Sequence, residues 1–479
     1  MNPGVNLLIY RTLPLLPKPY FAMSPGNRMS PAELRASIGL AGIFGLRMLG
    51  MFIILPVFAL YAEHLPGGDS HTLIGVALGA YGLTQAVLQI PFGWLSDRIG
   101  RKPVIAGGLV LFALGSFIAA GAHDIYWVIV GRVIQGTGAI SAAVMALAAD
   151  LTREEHRTKA MAMIGMTIGA TFALSLIVAP VLNRFIGVEG IFALTGVLAL
   201  AAIGVVYAII PDPQLSRFHS DAEAQSAQFL DVLRDRELLR LDFGVFALHA
   251  VLMALWMVVP FSLRTYGLAA DHHWQVYLPV LLGSAALMIP AIVYAERKAR
   301  LKPVLVASVA LMLAAQVLLA MLPGFWGLVF ALLAFFTAFN VLEASLPSLI
   351  SKIAPVGAKG TAIGVYSGIQ FLGTFAGAAG GGYLSQHYGV YALFGSCAAL
   401  SGLWLAVAAT MKPPAAVRTR MYHVRAMDNL SAAALSQRLA GLPGVREALV
   451  PAGEGVAYLK VDIKGFDEQH VLELIGGET

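Results

Sequence analysis

Twelve stretches of about twenty or more apolar residues run through this 479-residue chain. Each meets the roughly 20 residues that a helix needs to cross the ~30 Å hydrocarbon core of a bilayer. They fall near 36–61, 72–95, 103–122, 125–149, 160–183, 188–210, 241–263, 274–295, 303–322, 325–349, 361–385 and 388–410. Only 12% of residues are charged, about half the roughly 25% of a soluble globular chain. So little charge cannot cover a water-facing surface of this size, which excludes a string of soluble domains. The fold class expected is an all-α membrane protein of twelve transmembrane helices. Periodicity does not tell which side of each helix faces inward, because the stretches are apolar nearly all round.

Charge is sorted between alternate loops. One set, counted with the N-terminal tail, carries twenty Lys and Arg; the other carries two, Arg184 and Arg264. Lys and Arg are retained on the cytoplasmic side of membrane proteins, so both termini are expected in the cytoplasm. The net charge of +5 is thereby a topology signal, and no nucleic-acid partner is expected. The single cysteine, Cys397, excludes an intrachain disulfide and a multi-cysteine metal site, and no metal is expected.

The polar segment 211–240 divides the spans into six and six. Asp97-Arg98-x-Gly100-Arg101 after span two has a counterpart in Glu296-Arg297-x-Ala299-Arg300 after span eight. Lys159-Ala-Met-Ala opening span five echoes Lys359-Gly-Thr-Ala opening span eleven. The near-constant offset of 199 to 200 positions indicates parallel repeats, as in transporters whose substrate site lies between two halves. Residues 1–30 read as a disordered cytoplasmic tail, 31–210 and 241–411 as two six-helix halves, and 211–240 as a cytoplasmic linker. Beyond Met411 the composition becomes that of a soluble protein. Over 419–479, strands at MYHVRAM (421–427), VREALVP and VAYLKVDI, with helices at 430–442 and DEQHVLELIG, give the order β-α-β-β-α. That order predicts a small α+β ferredoxin-like cytoplasmic domain. It has no CxxC loop, so a regulatory, docking or structural role is favoured over metal carriage.

The run Gly93-Trp-Leu-Ser-Asp97-Arg98-Ile-Gly100-Arg101-Lys102 links spans two and three. Gly93 lets helices approach closely and Gly100 permits a tight turn. Asp97 suits the positive end of a neighbouring helix, and Arg98, Arg101 and Lys102 can pair with acids or lipid phosphates. This run resembles the signature loop of the major facilitator superfamily. Arg132-Val-Ile-Gln135-Gly136 in span four resembles the arginine motif of that superfamily's proton-coupled members. The layout is similar to drug:proton antiporter-like carriers that add a ferredoxin-like domain after span twelve.

The resemblance covers about residues 30–411. It implies a monomer of the bacterial inner membrane that works by alternating access around a midplane cavity. Its partners would be a small-molecule substrate, protons and membrane lipid, with the proton gradient as energy source and no cofactor. It also implies a latch that stabilises the outward-facing state: Asp97 against the start of span eleven near Gly360 and Thr361, and Arg101 paired with Asp150. The antiporter motif of span five is degraded, with Ser175 and Ala179-Pro180 in place of its glycines.

Ionisable residues inside spans are costly and are therefore functional candidates. Four stand out: Arg47 in span one, Arg132 in span four, His249 in span seven and Glu343 in span ten. Glu343 is the only acid well inside a span, with Asn340 on its face at i−3. A partly desolvated carboxylate can bind and release a proton as a cavity opens and closes, which makes Glu343 the first choice for proton coupling. A permanent partnership with an arginine is its plain alternative. Arg132 suits modulation of a proton site, anion binding or a structural ion pair, and Arg47 needs a partner from another helix. His249 fits either proton handling or a hydrogen-bonded core position. Asp242 reads as a helix-end or gate residue.

Tyr81, Gln85, Gln89, Trp256, Asn340, Tyr366 and Gln370 are candidate cavity residues, each with a packing alternative. GAAGGG (377–382) reads as helix packing, and no nucleophile–base pair or phosphate loop points to an enzyme. The expected function is proton-coupled efflux of small amphipathic molecules. The alternatives are a proton-coupled carrier of an anionic metabolite, and a membrane sensor signalling through the C-terminal domain.

Overall fold

A computed structural model describes residues 29–212, 229–298, 300–322, 324–355, 358–413, 417–453, 455–462 and 465–476. The expected tail 1–30, apart from its last two residues, and most of the linker 211–240 lie outside these. The N-terminal half runs α1 (Pro31–Phe52), α2 (Leu55–Ala62), α3 (His71–Ile99), α4 (Arg101–Ala120), α5 (Ile125–Thr137), α6 (Ser141–Asp150) and α7 (Glu154–Ala208). After the short α8 (Phe229–Arg234), the second half runs α9 (Arg236–Trp256), α10 (Val259–Thr265), α11 (Trp274–Arg297), α12 (Leu301–Met321), α13 (Phe325–Ile353) and α14 (Lys359–Ala409).

Local sequence explains where these helices start and break. Ser30 and Glu33 form a capping box at the start of α1, with Pro31 behind the cap, so two backbone donors are satisfied reciprocally. The first and seventh spans break alike. α1 passes to α2 just ahead of Pro56, and α9 to α10 just ahead of Pro260. A proline in the first turn of a helix sacrifices no helical hydrogen bond.

Among the described residues, ten helical segments are long and apolar enough to cross a membrane. Two of them, α7 with 55 residues and α14 with 51, would be about 80 Å long at 1.5 Å per residue, far more than one crossing. Each is broken at a glycine with positive φ, Gly187 (67°) and Gly389 (80°), a conformation that glycine adopts without strain. Each is therefore two spans, and ten segments make twelve crossings. The sequence places short loops at these points; a single glycine suffices.

The halves meet through glycines. On α3, a side chain at Gly75 would collide with the backbone of Ala378, at Gly79 with Phe375, and at Gly82 with the Phe371 carbonyl. On α14, Gly373, Gly377 and Gly381 lie against Phe246, Ala250 and Ala254 of α9. The GAAGGG run thus packs spans seven and two against span eleven.

One end of the bundle, here the basic face, carries the Lys/Arg-rich loops and the C-terminal domain. There Arg153 binds Glu33 (Nε–Oε1 2.9 Å), and Lys102 Nζ donates to the Ile210 carbonyl at 2.6 Å. At the opposite face the halves are tied directly. Arg264 pairs with Glu63 at 2.8 Å and Arg184 lies 3.7 Å from Asp271. Gln386 Oε1 accepts from the Thr72 amide and hydroxyl at 2.9 and 2.8 Å, and His71 stacks on Phe261. The two basic residues of this face both hold an acid of the other half.

The C-terminal domain has its own core, built on Leu435, Leu439, Leu459, Val471 and Ile475. β1 (Val417–His423), β2 (Val445–Leu449) and β3 (Val456–Asp462) form an antiparallel sheet of order β1-β3-β2. α15 (Asn429–Ala440), capped by Asp428, and α16 (Glu468–Gly476) complete the α+β unit. β1 begins four residues earlier than its alternation suggests, because pairing with β3 runs from Val417↔Asp462 to His423↔Val456. Lys460 of β3 docks the domain: its ammonium donates to the carbonyls of Ile353 (3.4 Å) and Ala354 (3.2 Å) at the end of α13. A cation there meets the negative end of the helix dipole.

Candidate functional site

The N-terminal half buries a cationic cluster around one tyrosine. Arg47 on α1 and Arg132 on α5 are 2% and 1% exposed. Arg47 donates to Ser141 Oγ at 2.7 Å and to Gln85 Oε1, and Gln85 in turn donates to Gln89 at 3.3 Å. Arg132 donates to Gln135 Oε1 at 2.6 Å and to the Leu78 carbonyl at 3.3 Å. Gln135 passes the chain on to Ser116 Oγ at 2.8 Å. The two guanidinium carbons lie 5.9 and 5.0 Å from the Tyr81 ring centre, where the negative π face attracts them. Tyr81, Gln85 and Gln89 recur every fourth residue of α3 and so share one side of it. Among the described residues no carboxylate pairs with either arginine. The Nε of each and the Tyr81 hydroxyl have no hydrogen-bond partner.

The C-terminal half buries acids and a histidine. On α9, His249 Nδ1 donates to the Val245 carbonyl at 3.1 Å, which leaves Nε2 as an acceptor in the neutral ring. Gln370 on α14 fills that position, its Nε2 lying 2.8 Å from His249 Nε2 and 3.5 Å from Glu343 Oε1 on α13. His249 and Glu343 approach to 3.6 Å. Glu343 Oε2 has no hydrogen-bond partner, nor do either oxygen of Asp242 and the hydroxyl of Tyr366. Asp242 is 2% exposed, two turns below His249 on the same helix, and Tyr366 stands one turn before Gln370 on α14. Asn340 is drawn aside to Ser284 Oγ at 3.0 Å. Trp256 lies in an aromatic cluster with Tyr277 and Phe336.

A small cavity of about 10 Å³, room for one water, lies between the two clusters. Tyr81 and Arg132 line it from one half, His249 and Thr374 from the other, and Met51, Phe52, Leu55, Leu78, Leu252 and Met253 supply its apolar wall. Of the sequence candidates, the structure thus brings together His249, Glu343, Tyr366 and Gln370 as one group, and Arg47, Arg132, Tyr81, Gln85 and Gln89 as another. Gln135 enters the sequence reading only as part of the motif that Arg132 opens, and its place three residues on, within one helical turn, explains the bond between them. Ser116 and Ser141 carry no local signal.

At the basic face, Gly100 (φ 99°) makes the turn between α3 and α4. Asp97 pairs with Arg101 of its own loop and its side chain is 37% exposed. Arg101 also reaches Ser96 Oγ at 2.9 Å and Asp150 at 3.4 Å, where the Asp150 side chain is fully buried. Arg98 lies over the ring of Trp94 at 3.6 Å, Lys102 bonds Asp212 at 2.7 Å, and Gly93 faces Ala142. Gly360 and Thr361 open α14 and are buried. Asp97 is thus held by Arg101 rather than by span eleven.

Two stretches, residues 40–297 and 273–432, match the Major Facilitator Superfamily, and together they take in every span. The chain belongs to that superfamily. It is 45% identical over 439 residues to the Inner membrane transport protein YajR of Escherichia coli, covering 91% of this chain and 96% of that one. The tetracycline resistance protein of class B from Escherichia coli is 32% identical over 141 residues, 29% of this chain and 34% of that one. Among solved structures, a bacterial homolog of the human lysosomal transporter Spinster, in an inward-facing and occupied conformation, aligns with a TM-score of 0.64. It covers 79% of this chain and 96% of that one at 14% identity, a likeness of fold. The protein is a multi-pass membrane transporter of this superfamily and not an enzyme.

Proposed function

We propose that the protein is a proton-coupled secondary transporter working by alternating access, with its basic face and both termini in the cytoplasm of a bacterial inner membrane. The observation that carries this reading is the His249–Gln370–Glu343 group beside a cavity walled by both halves. In the arrangement described, the Gln370 amide nitrogen reaches both His249 Nε2 and the Glu343 carboxyl. A proton on His249 turns Nε2 into a donor, so the amide must release it and the imidazolium can turn to Glu343. A proton on Glu343 weakens the carboxyl as an acceptor for the same amide and gives it a donor of its own. Either event rearranges contacts between α9, α13 and α14, which is how a local charge change biases a two-state bundle.

The ties at the opposite face describe a state closed on that side. Breaking them and docking Asp97 near Gly360 and Thr361 is the proposed counter-movement, with the Arg101–Asp150 pair holding the loop in position. Small amphipathic molecules are the proposed cargo and export the proposed direction, supported by the apolar, methionine-bearing cavity wall and by the tetracycline resistance relative. The test is substrate-dependent proton flux in proteoliposomes under an imposed pH gradient. Flux with some member of a drug-like panel is expected, and its loss in Glu343→Gln; no flux with any member counts against the reading. A second reading, a proton-coupled carrier of anions, is favoured by the unpaired guanidinium groups.

A further inference from the structure

We propose that His273 is an acid-sensitive catch on the closure at the face opposite the basic one. On taking up a proton it leaves its buried seat, the turn between α10 and α11 lifts off the N-terminal half, and that face opens. The inference rests on the alternating-access reading above and adds a control outside the His249–Gln370–Glu343 group.

His273 closes the turn that carries two ties between the halves. Arg264, which holds Glu63, stands just before the turn, and Asp271, which Arg184 approaches to 3.7 Å, lies within it. The His273 ring is fully buried. Its Nε2 lies 3.2 Å from the Leu268 carbonyl, so in the neutral ring Nε2 donates across the turn and Nδ1 is left as an acceptor. That Nδ1 is buried with no hydrogen-bond partner. The His273 carbonyl accepts from the amides of Val276 and Tyr277 at 3.0 and 3.1 Å, which places the residue at the start of α11.

The ring is built to stay neutral. It precedes α11 and lies outside the spans expected from sequence. Burial holds it well below the ordinary histidine value, at about 4; Arg264 acts in the same direction, and the Leu268 carbonyl and Asp271 act against them. The positive end of α11 also disfavours a cation. From the other elements packed on the turn, Arg184 of α7 faces Asp271, Glu63 of α2 is held by Arg264, and α11 presents the Tyr277 ring edge to face. His272 of the turn itself is exposed and bonds Asp271 at 2.9 Å. A proton on His273 would place a second N–H at Nδ1, where no acceptor stands, and only water satisfies the charged ring. Reaching water breaks the bond to Leu268 and unseats Arg264 and Asp271 together. A value lowered in the docked ring stabilises closure fully above about 6.5, the free value. That contribution is lost as pH falls from there to about 4.

The experiment uses the full-length protein in nanodiscs, carrying Cys397→Ser and spin labels at His123→Cys and Tyr391→Cys, exposed positions of opposite halves at that face. Distances are read by pulsed electron paramagnetic resonance, without cargo or a pH gradient. From about pH 7.5 to about pH 5 the ratio of open to closed molecules should rise by up to about thirtyfold, the factor for these two values. His273→Gln, a neutral side chain that can still donate to Leu268, should hold the ratio within about twofold over the same range. His273→Asn repeats the test if His273→Gln does not fold. His272→Gln and Glu343→Gln should leave the response in place. No shift in wild type, a shift confined below about pH 4, where carboxyl groups titrate, a shift that survives both His273 variants, or one that Glu343→Gln abolishes overturns the proposal. An acid-driven opening in a protein that shows no cargo-dependent proton flux leaves the catch standing and counts against the transport reading.

Discussion

The two six-helix halves share a layout and bury opposite charge. The N-terminal half surrounds Tyr81 with Arg47 and Arg132 in a web of glutamine and serine. The C-terminal half holds His249 and Glu343, bridged by Gln370, and buries Asp242 apart from them. Of these two groups, Tyr81 and Arg132 reach the cavity from the first half and His249 from the second. On the proposed reading, proton handling falls to the second half, whereas guanidinium stays charged throughout. Cargo recognition and proton handling can then be separated by mutation.

Glu343→Gln is the change expected to break this division most deeply. pH-driven transport should fall by a hundredfold or more, about the contribution of a positioned acid–base group, while equilibrium binding of cargo persists. Retained pH-driven uptake would remove Glu343 from the proton role and leave the two halves without distinct tasks. Asp97→Asn tests whether the halves must exchange partners at the basic face. Turnover is expected to drop by about tenfold or more, the weight of a charge-assisted hydrogen bond, in a protein that unfolds at the wild-type temperature. Normal transport would dismiss the latch.

Gly75→Val probes the seam itself. A side chain there meets the backbone of Ala378, so overpacking should cost about 1–3 kcal/mol and disfavour closure at the opposite face. Accessibility of a cysteine introduced there reports the closure, and an unchanged pattern would show that the glycine contact is dispensable. Lys460→Met should loosen the C-terminal domain from α13 by about 0.3–1 kcal/mol, the scale of a cation at a helix end, and leave flux intact. Lost flux would mean that the domain takes part in the cycle. Glu63→Gln should have the smallest effect, about 0.2–1 kcal/mol for a partly exposed pair, seen as a modest shift toward opening at that face and shrinking with added salt.

Much of the scaffold was legible in the sequence because lipid leaves few choices. A backbone in hydrocarbon must satisfy its own hydrogen bonds, so twenty apolar residues are a helix whatever surrounds them. The β-α-β-β-α order of the tail was legible for a different reason, since its alternation changes period from strand to helix. Arg132 with Gln135, and Asp97 with Arg101, are local pairs whose spacing already puts them in reach. Rotation was not legible. Nothing in the sequence says that Tyr81 faces both arginines while Trp256 packs among Tyr277 and Phe336, because helices apolar on every side carry no moment to orient them.

The sequence by itself determined a twelve-span carrier with charge sorted between its ends and a soluble α+β appendix, because composition and helix length are properties of a segment alone. Tertiary structure decided which buried charges meet. Arg47 finds Gln85 and Ser141 from two other spans, and His249 and Glu343 are joined by a glutamine 121 and 27 residues away. Those partners are chosen by how helices roll and pack at glycine contacts, and that geometry exists only once all of them are assembled.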